Sequence, residues 1–217
     1  RRGMENLCVQ TEFNGYTADG GYADLMVVPG AFVFPIPESF SSEQAAPLLC
    51  AGSIGYRALR LSEIQPGERL GLYGYGASAH LVQQLAQHQG CQVSVFTRSE
   101  AHRQLARDLG AVWVGGAEAD PPPEIDAGIV FAPAGWIVPL ALRALSRGGT
   151  LALAGIHMSP IPEMNYGLLY HERVLRSVAN LTRQDAHWML KTAAEIGMKS
   201  TVTSYPLARD RKSTRLN

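Results

Sequence analysis

Apolar and polar positions fall in blocks along the chain, and the period of the blocks changes from strand-like to helix-like and back. Leu70 to Tyr73 is a short apolar run followed by a glycine-rich turn. Beyond the turn, Leu81, Val82, Leu85 and Ala86 recur at the spacing of one helix face, which predicts a helix that stops at Gly90. Val93 to Phe96 predicts the next strand. Ser99 is placed to N-cap the helix after it, with Glu100 in the first turn, where the helix dipole favours an acid. That helix turns Leu105, Ala106 and Leu109 inward and ends on Gly110, a residue suited to a left-handed stop. Val112 to Val114 and Ile129 to Phe131 predict a third and a fourth strand. A helix from Trp136 to Leu145 ends before Gly148-Gly149, and Leu151 to Ala154 and Leu175 to Val178 predict the last two strands. Thr182 stands three residues before Asp185, a capping-box-like start for a final helix that stops near Gly197. Strands separated by helices of this length predict right-handed βαβ units and a parallel sheet covered on both faces.

The first part of the chain has a different texture. Tyr22 to Val28 carries β-formers after Gly20-Gly21, and Phe32-Val33-Phe34 is a short apolar run stopped by Pro35 and Pro37. The chain therefore divides into a β-and-turn segment over 1–49, an α/β domain over 50–197, and a return segment with a tail over 198–217. Pro121-Pro122-Pro123 predicts a stiff surface loop. Asp210 to Asn217 is polar and basic without apolar spacing, and is expected to be a truncated or non-native end.

Composition narrows the function classes. The 217 residues are 46% apolar and 18% charged, enough for a sizeable core and too little charge for disorder. Nineteen basic residues balance nineteen acidic ones, so no electrostatic footprint for nucleic acid or an anionic membrane is present. The longest uncharged run, Leu70 to Thr97, is broken by Gly74, Gly76 and Gly90 and by polar Gln83, Gln84 and Gln87, so no membrane span is expected. Three cysteines, Cys8, Cys50 and Cys91, are too few for a disulfide framework. No apolar run follows Arg1-Arg2-Gly3, so a reducing, cytoplasmic setting is expected. The chain starts without an initiator Met, which leads to the expectation that it lacks its true beginning.

The turn Gly74-Tyr75-Gly76-Ala77-Ser78-Ala79 carries the first candidate chemistry. It follows a strand and opens a helix. Gly74 allows a tight turn, Gly76 lets a pyrophosphate approach the backbone, and Ala79 is small enough for close helix–strand packing. The free N–H groups at Gly76, Ala77 and Ser78 would then face the phosphates. Glycines end strands everywhere, so a merely structural turn is the competing reading; six surrounding strands favour dinucleotide binding. Thr97 and Arg98 stand where an acidic residue would hold the ribose 2′-hydroxyl, and no Asp or Glu precedes Glu100. A guanidinium pairs with a 2′-phosphate that a carboxylate would repel, which favours NADP over NAD. The alternative is that Arg98 is a solvated charge at a helix start. The nicotinamide half of the pocket is expected from loops at the carboxyl ends of later strands: Phe131 and Ala132, then Gly155, Ile156 and His157, then Val178, Ala179 and Asn180. His157 shares its loop with Pro160 and Pro162 and is read as a surface or cofactor-adjacent residue rather than a catalytic one.

Taken alone, Cys50 in AAPLLCAG reads as a packing residue, and so does Cys91 beside the second strand. Together, however, RRGMENLC, DGGYADLMVVP, AAPLLCAG, the glycine turn and the LGA after the second helix resemble the medium-chain, zinc-dependent alcohol dehydrogenases over nearly the whole chain. The resemblance implies a doubly wound parallel (Rossmann) domain preceded by the remnant of a β-rich, GroES-like catalytic domain. It implies an oxidoreductase that moves a hydride between NADP(H) and a small-molecule alcohol or aldehyde. It also implies that Cys50 is a ligand of the catalytic zinc and Cys8 a ligand of a structural zinc. The other ligands, the substrate pocket and the proton relay would belong to a missing N-terminal portion. Zinc needs three or four protein ligands, so the metal is expected in the complete protein, and this fragment alone is expected to be inactive. No catalytic residue beyond the zinc ligand is expected in the chain. Ile54 stands where some members carry a threonine beside the nicotinamide. Two other readings stay open: a zinc-independent quinone or enoyl reductase of the same superfamily, against which Cys8 and Cys50 argue, and a non-catalytic NADP-binding module. Self-association also stays open.

Overall fold

In the computed structural model, which describes residues 3–119 and 123–206, helix α1 (Ser42–Pro47) and helix α2 (Ser53–Leu61) precede the sheet. Strand β1 (Arg69–Tyr73), helix α3 (Ala77–His88), strand β2 (Gln92–Phe96), helix α4 (Glu100–Asp108) and strand β3 (Trp113–Gly115) follow. The chain continues with strand β4 (Ile125–Val130), helix α5 (Ile137–Ala144), strand β5 (Leu145–Leu153), strand β6 (Val174–Ser177) and helix α6 (Arg183–Ile196). All five strand pairs are parallel, in the order β3-β2-β1-β4-β5-β6. This is the doubly wound order, with its reversal between β1 and β4.

Period-two alternation distributes the strand side chains between two apolar layers. Leu70, Leu72, Val93, Val95, Ala127 and Ile129 pack with α2, α3, α4 and α6 on one face. Tyr73, Phe96 and Val130 pack with α5 on the other. There Tyr73 stacks on Phe96 at 4.1 Å between centroids, and Phe96 meets Trp113 at 4.8 Å, an aromatic row across three strands. The caps follow the sequence. Ser99 Oγ accepts the His102 N–H, Thr182 forms a capping box with Asp185, and Gly110 and Gly197 take left-handed conformations. Among the described residues no helix is long and apolar enough to cross a membrane.

The first segment departs from the expectation. Tyr22–Val28 and Phe32–Phe34 form no strand, no strand lies among the described residues before Arg69, and only an isolated bridge joins Asn14 to Ala18. β-formers need a neighbouring ladder, and this stretch has none beside it, leaving Val9, Leu25 and Val27 exposed. A second difference is helical structure over 42–61, where the sequence shows little periodicity. It includes a wide π turn, Leu48–Gly52, between α1 and α2. Pro121 and Pro122 and the tail Asp210–Asn217 lie outside the described residues.

One buried ion pair joins α2 to α6. Arg57 Nη1 lies 2.8 Å from Asp185 Oδ2, with side chains only 8% and 2% exposed, and Arg60 reaches Oδ1 at 3.1 Å. Burial pushes the Asp185 carboxyl up. The Thr182 N–H and hydroxyl with Arg57 and Arg60 outweigh that, and its pKa lies below the usual carboxylate value. At the other end of the sheet, the Arg69 guanidinium holds Asp126 down to about 2.

Two outcomes follow. Asp185→Asn strands the buried Arg57 charge and should cost about 3 kcal/mol in denaturant unfolding at neutral pH; a loss under about 0.5 kcal/mol would mean that the pair does not join the helices. Asp126 has a lowered folded pKa, so its contribution is full above about pH 4. It is lost as pH falls through about 2. Thermal melts across that range should show a shallower acid decline in Asp126→Asn than in wild type, and equal slopes would contradict it.

Candidate functional site

Where the strand order reverses, the connections from β1 and β4 leave in opposite directions and open a cleft of about 430 Å³ at the carboxyl edge of the sheet. One wall is the glycine turn, from Gly74 to Ala79. The other is formed by Phe131, Ala132 and Pro133 after β4 and by Ala154, Gly155, Ile156 and His157 after β5.

The two glycines of the turn do different work. Gly74 has φ +85°, and a Cβ there would lie 2.8 Å from Ala132 N, so handedness and close approach both demand glycine. Gly76 has φ −121° and ψ −152°, an ordinary extended backbone that does not itself require glycine. A Cβ there would meet nothing within 4 Å. What Gly76 provides is open space in front of α3. Among the described residues no side chain caps that helix, so its first N–H groups, at Ala77 and Ser78, have no partner of that kind there and adjoin the cleft. Their donors and the positive end of the helix dipole suit an anion. Ala79, fully buried, lets α3 lie close on the sheet.

Tyr75 and His102 also line the cleft and escaped the sequence reading. Tyr75 is the variable position of the turn, which the fingerprint leaves unspecified. Its ring is buried, and its hydroxyl donates to Gln83 Oε1, while Gln83 Nε2 donates to Ala106 O at 3.0 Å. The turn is thus tied to α3 and α4. Burial raises the Tyr75 phenol well above its usual value, keeping it a neutral donor. His102 stands in the first turn of α4, with its ring 6.4 Å from that of Tyr75; only the cap at Ser99 hinted at its place.

Other expected residues lie outside this lining. Thr97 and Arg98 follow β2, beside the turn. Thr97 O accepts Arg103 Nε at 2.9 Å, and Glu100 engages both Arg103 and Arg107, whereas Arg98 is exposed and has no hydrogen-bond or ion-pair partner among the described residues. Val178, Ala179 and Asn180 follow β6, farther along the sheet from the glycine turn than the β5 loop. Val178 is buried, Ala179 O accepts Asn6 Nδ2 at 2.7 Å, and Asn180 has φ +56°.

Cys50 sits in the π turn and, like Cys8, is exposed; Cys91 is buried. The packing reading therefore fits Cys91 and not Cys50. Among the described residues no three His, Cys, Asp or Glu side chains are grouped to hold a metal. The donors among the described residues do not by themselves close a zinc site.

The chain is 50% identical over 208 residues to the "Probable alcohol dehydrogenase AdhA" of Mycobacterium tuberculosis (strain CDC 1551 / Oshkosh), covering 95% of this chain and 60% of the relative. It is 31% identical over 214 residues to an alcohol dehydrogenase of Geobacillus stearothermophilus, covering 94% of this chain and 63% of that protein. Its fold superposes on a cinnamyl alcohol dehydrogenase of Sorghum bicolor (L.) Moench with a TM-score of 0.86 at 25% identity, over 98% of this chain and 65% of the other. No family model matches the chain. The chain thus spans less than two thirds of the length of these relatives.

The geometry separates the two glycines experimentally. Gly76→Val should fold with a melting temperature close to wild type yet lose binding of NADPH, because its side chain fills the space before α3. Gly74→Ala should instead lose stability, by about 1–2 kcal/mol from the left-handed backbone alone, with more from the clash at Ala132. Thermal melts with a cofactor titration measure both. A folded Gly76→Val chain that binds NADPH like wild type would reduce the turn to a structural feature.

Proposed function

Because this chain belongs to the medium-chain alcohol dehydrogenases over the part of their length that it spans, we propose that it forms the nicotinamide-dinucleotide half of an oxidoreductase acting on an alcohol or aldehyde. The observation that carries the reading is the uncapped start of α3, facing an open cleft across a glycine that no neighbour requires. Its N–H groups would hold the pyrophosphate, and the loops after β4 and β5 would flank the nicotinamide. The cofactor would accept a hydride from an alcohol or give one to an aldehyde, and the chain would bind and orient the cofactor and shield it with apolar walls.

NADP is the preferred cofactor in this proposal. Arg98 lies at the carboxyl end of the strand beside the turn and has no partner among the described residues, while Arg103 and Arg107 of α4 are occupied by Glu100. A free guanidinium next to the adenosine end of the cleft favours a 2′-phosphate. The complete enzyme is proposed to use zinc, with Cys50 as one thiolate of a catalytic site and Cys8 as one thiolate of a structural site. Protein outside these 217 residues would supply the remaining ligands. Cys50 suits that role in two respects, its exposure and its place in a π turn, a wide helical turn that often occurs at functional positions. No chemical step is assigned to metal held by this chain alone.

Fluorescence titration with NADPH and NADH tests the cofactor assignment. NADPH should bind roughly tenfold more tightly, the size of one partly exposed charged hydrogen bond, and Arg98→Ala should remove most of that margin. Equal affinities in wild type would contradict the assignment.

A further inference from the structure

His80 reaches the glycine turn from behind, on a face of α3 that the fingerprint residues do not use. It is 5% exposed. Its Nδ1 lies 3.2 Å from Gly76 O, and its Nε2 lies 3.4 Å from Thr201 N. A carbonyl only accepts and an amide N–H only donates, so one pattern satisfies both contacts: a neutral ring with its hydrogen on Nδ1. Burial favours that neutral ring, lowering its pKa from the ordinary value against the opposing pull of the Gly76 and Ala77 backbones. Gly76 O also accepts the His80 backbone N–H at 3.2 Å. Backbone and side chain of one residue therefore grip the same carbonyl.

The consequence follows from peptide planarity. In a trans peptide the N–H points opposite to the C=O. With the Gly76 carbonyl drawn along α3, the Ala77 N–H must point the other way, out of the helix start, where Gly76 and Ala77 line the cleft. The second nitrogen of the ring is committed to a strap. Gly197 ends α6 in a left-handed conformation, Met198 is buried, and the chain then runs back over α3. There Gln84 Oε1 accepts the Lys199 N–H at 2.9 Å, and its Nε2 donates to Lys199 O at 3.0 Å.

We propose that His80 is a positioning residue for dinucleotide binding: its Nδ1–H fixes the Gly76–Ala77 peptide with the N–H aimed at the pyrophosphate, and its Nε2 ties that geometry to the strap at Thr201. This rests on the dinucleotide reading of the cleft. It adds a residue beyond the glycine fingerprint, which ends at Ala79, and joins the turn to a distant part of the chain.

Substitutions separate the two nitrogens. The Asn amide can replace Nδ1 at Gly76 and is too short for Thr201; the longer Gln amide can replace Nε2 and leaves Gly76 O. In NADPH titrations, His80→Ala and His80→Gln should weaken binding by about tenfold, the size of one hydrogen bond, while His80→Asn stays within about threefold of wild type. The ¹⁵N shifts of the wild-type ring, read without ligand and independently of any variant, should report the Nδ1–H tautomer. The Ala77 amide shift should move in the Ala and Gln variants and hold in Asn. An Nε2–H ring, or a Gln variant that binds as tightly as wild type, would overturn the proposal. If wild type binds no NADPH, the dinucleotide reading falls. The positioning role then stands on the ring tautomer and the Ala77 shift, and an Ala77 amide indifferent to His80 would overturn it.

Discussion

A backbone contact without side chains governs the carboxyl edge of this sheet. Gly74 turns left-handed at the end of β1, so close to the backbone after β4 that an added Cβ would sit 2.8 Å from Ala132 N. Tyr73 O accepts both Phe131 N–H and Ala132 N–H, at 2.8 and 3.1 Å, which draws the two strand ends together. Helix α3 can then start only where it does, with its uncapped N–H groups over the point at which the strand order reverses. The doubly wound topology makes a crevice at that point, and the contact at Gly74 fixes one wall of it relative to the other.

Polar networks beneath the cleft keep its walls in register. Gln83 bridges the Tyr75 hydroxyl and Ala106 O, joining the turn to α3 and α4 in a buried setting where an unsatisfied amide would be costly. The Arg57–Asp185 pair does the same for α2 and α6. Glu5 accepts the Arg183 N–H at 2.9 Å, so the first segment is attached at the start of α6 even though it forms no strand. These interactions connect the glycine turn and the thiol-bearing π turn through packed helices: Gly52 of the π turn lies against Met189 of α6, and Gly55 of α2 against Val82 and Ser78 of α3.

Much of this was legible in the sequence because it depends on local periodicity and capping. The strands, α3, α4 and α6, and the caps at Ser99, Thr182, Gly110 and Gly197 fall where the pattern puts them, with shifts of a few residues at the ends, except that β4 begins at Ile125 and not Ile129, and β5 begins at Leu145 and runs through Gly148-Gly149, where the glycines read as a break. Helix formation over 42–61 was not legible, because AAPLLCAG is apolar throughout, without helical spacing, and Pro47 reads as a breaker. The β-formers of 22–28 misled for the opposite reason: strand propensity is realised only beside a partner. In the site, the glycines and the loops after β4 and β5 could be named from topology. Tyr75, His102 and the contact between His80 and Thr201 could not, since they depend on where the turn meets α4 and on where a side chain meets a backbone N–H 121 residues away.

On the proposed reading, the start of α3 and the loops facing it hold a nicotinamide dinucleotide. Mapping amide shifts of the ¹⁵N-labelled chain on titration with NADPH tests it directly. Binding should shift Gly76, Ala77, Ser78, Ala132 and Gly155 together with one saturation curve. Shifts confined instead to the separate cavity bounded by Tyr56, Arg60 and Gln89, or no shift at the glycine turn at saturating NADPH, would contradict it.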